Sequence, residues 1–123
     1  MTTLEKKSLM LLLSVIFHYH GFDEDEKALL EAKADEFNAQ KEKKWANEFI
    51  ASDYLSAFER AREYFKQEVT KLDLETRVEY MEMVWTANNS KGFTTEMEAR
   101  ALLRLAKDWG AEKSLIEFAK KTN

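Results

Sequence analysis

The chain has no cysteine, so neither a disulfide nor a thiolate zinc ribbon can hold it. It has no proline, where average usage gives about six, and three glycines, where about nine are usual. Valine and isoleucine together supply seven of 123 residues, which disfavours sheet. Neither sign of charge dominates: 19 Lys and Arg against 23 Asp and Glu leave −4. A dedicated nucleic-acid binder usually carries a basic excess, so no nucleic-acid partner is expected. Lys41, Lys43 and Lys44 beside Trp45 do not change this, because Glu42 interrupts them.

Long apolar runs are also missing. Leu9 to Phe17, with Ser14 its one polar member, is nine residues, and a membrane span needs about 20. Lys6 and Lys7 before it mimic a signal peptide, but His18, Tyr19 and His20 follow in place of a small-residue cleavage site. The run therefore reads as a buried first helix, and the expected address is cytoplasmic with no membrane insertion. There is no Gly-rich phosphate loop, no Gly-x-Ser-x-Gly and no His-Glu-x-x-His, so no catalysis is expected.

What is present is helix-forming. Ala, Glu, Lys, Leu and Arg make up 64 of the residues, and straight-chain side chains favour helix. The length suits one domain, residues 1–123. Helix 1 is expected from Thr3 to about His20, capped by Thr2 and Glu5 and stopped by Gly21. Helix 2 starts at Asp23 with Glu26 three residues on, and fades near Asn38. A third covers about Lys41 to Ala51. In the fourth, about Asp53 to Leu72, Leu55, Phe58, Ala61, Phe65, Val69 and Leu72 recur at helical spacing. Asp73 caps a fifth, with Leu74, Val78, Met81 and Trp85 inward; the tight break makes helices 4 and 5 antiparallel neighbours or a sharply bent pair. Asn88 to Phe93 reads as a loop. Helix 6 runs from Thr95 to Trp109, ended by Gly110, and helix 7 from about Ala111 to Lys121. The fold class is thus all-α, a bundle of about seven helices.

A weak repeat runs through this order. With Asp23–Glu26 laid on Thr95–Glu98, Leu30 falls on Leu102, Ala34 on Ala106 and Phe37 on Trp109. Gly21-Phe22 and Gly92-Phe93 precede the two boxes, the second pair one residue further back. The chain reads as two copies of helix, Gly-Phe loop, helix, joined by helices 3 and 4.

That arrangement resembles the tellurite-resistance TerB-like family. The first half offers Phe17 through Phe22, then Glu26 and Leu29-Leu30. The second offers Trp85-Thr86-Ala87, Asn88 through Phe93, then Glu98 and Leu102-Leu103, with Trp109-Gly110-Ala111 as the break before the last helix. The resemblance implies two pseudo-repeated halves and a bacterial stress-response role as a metal-sensing or scaffold module. It also implies an acidic divalent-metal site, but both family aspartates are missing: His20 stands at one position, Ser90 or Lys91 at the other. The metal site of this copy is therefore expected to be degenerate.

Four groups carry chemistry. His18 and His20, with Asp23, Asp25 and Glu26 nearby, suit zinc or nickel; the plainer reading is a helix end whose histidines meet the last carbonyls. Glu26 and Glu98, if the halves pack face to face, would repel and need a cation. A divalent ion would serve, or Lys91 in its place; alternatively both glutamates only cap their helices. Glu75, Glu79 and Glu82 form an acidic stripe at steps of 4 and 3. Met81, Met83, Trp85 and Met97 read as core. The expected function is a non-catalytic TerB-like domain with an unidentified protein partner. The alternative is a small acidic binding protein that masks a basic partner, as an immunity protein does.

Overall fold

Ten consecutive residues of the first helix, Ser8 to Phe17, are buried, and this sets the plan of the molecule. The computed structural model describes residues 1–19, 22–90 and 94–122. Among them it places α1 (Thr3–Phe17), α2 (Glu24–Glu36), α3 (Gln40–Ala51), α4 (Ala57–Glu68), α5 (Leu74–Asn89), α6 (Glu96–Asp108) and α7 (Glu112–Thr122). A 3-10 turn, Val69–Lys71, follows α4, and no strand is present among the described residues. A helix apolar on every side must be surrounded, and α1 packs against α2, α3, α4, α5 and α6. No helix among the described residues is long and apolar enough to cross a membrane.

Local chemistry sets the helix ends. Thr2 Oγ1 accepts from the Glu5 amide at 3.1 Å, and Glu5 Oε1 accepts from the Thr2 amide at 2.8 Å. This box fixes the start of α1. Its end comes earlier than Gly21: the helix stops at Phe17, with His18 as cap. His20 and Gly21 lie outside the described residues. Gly110, at φ 70°, ends α6, where the Ala111 amide donates to the Ala106 carbonyl at 2.8 Å. A residue in the left-handed region is what this closure needs. Arg77 Nη1 reinforces it, donating to the Trp109 carbonyl at 2.9 Å.

Three expectations are corrected. The fourth helix starts at Ala57, because Asp53 draws the preceding residues into a turn. Its carboxylate accepts from the Leu55 amide at 3.1 Å and the Ser56 hydroxyl at 2.9 Å, and such a side chain competes with helix for those donors. Leu55, expected in the core, is fully exposed as a result. Leu74 and Met97 were also expected inward, but each sits in the first turn of its helix and faces water. The expected loop at Asn88 begins late, since α5 continues through Asn89. Asn88 is buried, donating to Thr94 Oγ1 at 3.3 Å.

Across the break between them, α4 and α5 are not packed side by side but lie chiefly against different neighbours. Among the described residues α4 packs chiefly on α1, α3 and α6, whereas α5 packs on α1, α6 and α7. Arg62 ties α4 to α6 through Asp108, with Nε–Oδ2 at 2.7 Å and Nη2–Oδ1 at 3.1 Å. Phe65 meets Trp109 edge to face at 5.0 Å in the same contact.

Candidate functional site

The two helix starts singled out by sequence are built alike. At α2, Asp23 Oδ1 accepts from the Glu26 amide at 2.8 Å, and Glu26 Oε1 accepts from the Asp23 amide at 3.3 Å. At α6, Thr95 Oγ1 accepts from the Glu98 amide at 3.1 Å, and Glu98 Oε1 accepts from the Thr95 amide at 3.0 Å. Each pair satisfies helix N–H groups that have no partner within the helix. Glu26 is 4% exposed and Glu98 is 2% exposed. A carboxylate rarely leaves water to this degree without compensation. Two such groups at equivalent helix positions are therefore the strongest sign of a built site.

The likeness of α2 and α6 continues to their ends. Leu30 and Leu102, and Ala34 and Ala106, are all buried. Phe37 and Trp109 are the C-caps. Asn38 at φ 52° matches Gly110 at φ 70°. The Ala39 amide donates to the Ala34 carbonyl at 2.7 Å, as Ala111 does to Ala106 at 2.8 Å. Sequence comparison missed Asn38 with Gly110 and Ala39 with Ala111. The signal was available: Asn and Gly are the two residue types that most readily take positive φ.

His18 is committed elsewhere on one side. Its Nδ1 donates to the Ser14 carbonyl at 2.8 Å, and its ring stacks on Phe22 at 4.1 Å with the planes 7° apart. The hydrogen bond to a carbonyl puts the proton on Nδ1 and leaves Nε2 as the acceptor. Burial pushes the imidazole pKa below its ordinary value. His18 also lines a pocket of about 360 Å³ with Tyr19, Tyr54, Leu55, Phe58 and Arg104. Among the described residues, no group of three or more histidines and carboxylates is arranged to hold a metal ion. Asp23 and Glu26 are brought together by their cap. His20 and Lys91 lie outside the described residues.

The stripe on α5 is placed at the surface. Glu75 and Glu79 are exposed and Glu82 is half-buried. Glu79 and Glu82 edge a groove of about 490 Å³ whose floor is Leu29, Met83, Ala87 and Phe118. Sequence reading took Met83 for core; it is half-buried in this floor, whereas Met81 is buried. Trp85 is half-buried, and its Nε1 has no hydrogen-bond partner among the described residues. Lys43 is ion-paired to Glu31, and the Lys7 ammonium sits 5.0 Å from the Trp45 ring centroid, so part of the basic cluster is engaged within the chain. No family model, curated protein or solved structure matches the chain.

Proposed function

We propose that the chain is a non-catalytic TerB-like helical module, built of two pseudo-repeated halves, whose divalent-metal site has degenerated. In this reading it serves as a scaffold or sensor in a bacterial response to tellurite or related stress. Glu26 and Glu98 are the surviving acidic members, and the Lys91 ammonium takes the place of the ion. The observation that supports it is the burial of Glu26 and Glu98 at the third position of α2 and α6. Neither a helix cap nor helix propensity requires a carboxylate to be buried: Glu5, which caps α1 in the same way, is only half-buried. A shared internal cation gives both glutamates a reason to leave water.

Thermal unfolding of the metal-stripped protein tests this. Calcium, magnesium, zinc and nickel are each expected to leave Tm unchanged, because the cation position is already filled. Lys91→Asp is expected to create a site. A ligand at 100 times its Kd stabilises by about 2.7 kcal/mol. Near-average unfolding entropy for this length makes that about 10 °C. A Lys91→Asp protein that melts identically with and without calcium or zinc refutes the degenerate-site reading. So does a zinc or nickel shift in the unmodified protein that His18→Ala or His20→Ala removes, because the histidines would then be the metal site.

A further inference from the structure

We propose that the groove between α2, α5 and α7 is a docking site for a basic amphipathic helix of another protein. The α5 wall uses Glu79, Glu82, Met83, Thr86, Ala87 and Ser90. These residues recur at steps of 3, 1, 3, 1 and 3, so they form one continuous face of that helix. From Glu79 to Ser90 the wall is about 17 Å long at 1.5 Å per residue, room for three turns of a partner helix. Leu29 from α2 and Phe118 from α7 close the other sides. Beyond Leu29 the surface continues over Ala28 and Ala32, both exposed. Side chains this small let another helix backbone come close.

Charge selects the occupant. Glu79 and Glu82 stand on the α5 edge, Glu75 lies one turn further along it, and Asp25 stands at the far end beside Ser90. No ion pair or side-chain hydrogen bond among the described residues engages any of these four carboxylates. Lys33 also lines the groove, but its ammonium is paired with Glu36 at 3.2 Å and lies 5.9 Å from the Phe37 ring centroid. Six other surface carboxylates, Glu24, Glu31, Glu59, Glu63, Glu68 and Glu96, pair locally with lysine or arginine, whereas Glu42, Glu48, Glu112 and Glu117 are unpaired among the described residues but do not line this groove. An apolar floor with an unpaired acidic edge fits a helix whose apolar side chains recur every three or four residues and whose flanks carry lysine or arginine.

The test uses the full chain and two model peptides of about 15 residues, blocked at both ends. Both carry leucine at helical spacing; one has lysine at the flanks and the other glutamate. The lysine peptide is expected to bind, to weaken as salt rises from about 0.05 to 0.5 M, and to shift amide NMR signals of Leu29, Met83, Ala87 and Phe118. Glu79→Gln with Glu82→Gln is expected to weaken it about tenfold. Glu48→Gln with Glu63→Gln, an equal change in net charge away from the groove, is expected to leave affinity unchanged. Equal binding of both peptides, equal loss in the two variant pairs, or NMR shifts on another face overturns the proposal. Self-association of the free protein through the groove also overturns it, because the occupant would then be a second copy.

Discussion

Replacing Glu98 by glutamine separates a helix cap from a buried charge pair. The substitution keeps Oε1, the atom that accepts from the Thr95 amide at 3.0 Å. Glutamine is itself a normal third residue of a capping box. If capping is the whole role, what is lost is the interaction of the charge with the helix N-terminus, about 0.3–1 kcal/mol, and relief from burying a charge offsets part of it. If a cation shared with Glu26 faces Glu98, which is 2% exposed, the variant removes one of the two buried charges that offset that cation, at a cost of up to about 3–5 kcal/mol. An unfolding entropy of about 2.1 cal/mol/K per residue makes 1 kcal/mol worth about 4 °C at this length. The cap alone thus predicts a fall of at most about 4 °C, and the shared cation a fall of up to about 12–19 °C. Our reading predicts the larger fall for Glu98→Gln and for Glu26→Gln, followed by circular dichroism at neutral pH. Glu5→Gln is the control, since Glu5 caps α1 through the same two bonds with Thr2 but is half-buried. Lys91→Met combined with Glu26→Gln and Glu98→Gln is expected to recover much of the loss, because none of the three charges then remains. If Glu98→Gln and Glu5→Gln both stay within about 4 °C of the parent, the internal cation is refuted.

Two further outcomes follow from the packing. Burial holds the His18 imidazole below its ordinary pKa. The unfolded chain therefore takes up this proton near pH 6.5, its ordinary value, while the folded chain resists until lower pH. The stability from neutral His18 is complete above about pH 6.5 and is lost as pH falls through the folded pKa. Urea midpoints should drop between about pH 7 and 5, and more steeply in the parent than in His18→Gln; equal slopes would show that His18 is not shielded. Asp108→Asn removes the charge from a two-bond pair whose side chains are 20% and 13% exposed. It should cost about 2–3 kcal/mol, less than a fully buried pair, and Arg62→Met with Asp108→Leu should restore part of it. A loss below about 0.5 kcal/mol in Asp108→Asn would place the pair with ordinary surface bridges.

The helix starts were legible because local chemistry decides them. Thr2 with Glu5, Asp23 with Glu26 and Thr95 with Glu98 are read from spacing alone, and all three boxes form. Periodicity misled where a short polar side chain competed with it. Leu55 has the right spacing to begin the apolar face of α4, yet the Asp53 carboxylate takes its amide and the Ser56 hydroxyl. Arg60 then fixes the turn, donating to the Phe49 and Asp53 carbonyls at 2.8 and 2.7 Å. Leu74 and Met97 failed for a related reason: a first-turn side chain points back beyond the helix it belongs to, where less of the core lies.

The groove was not legible, because its floor joins Leu29, Met83 and Phe118 from three helices far apart in the chain. The acidic stripe was visible without its setting, the apolar floor beside Glu79 and Glu82. The likeness of α2 and α6 lies between these cases. Identity matching finds Leu30 with Leu102 and Ala34 with Ala106 but passes over Asn38 with Gly110. Both of the latter have positive φ, and both deliver the next alanine amide back to its helix, at 2.7 and 2.8 Å. Two letters that score as different perform one backbone task. Comparing residues by the conformation they permit would therefore have extended the likeness of the two helices through their C-terminal ends, where comparing them by identity stopped at the aromatic cap.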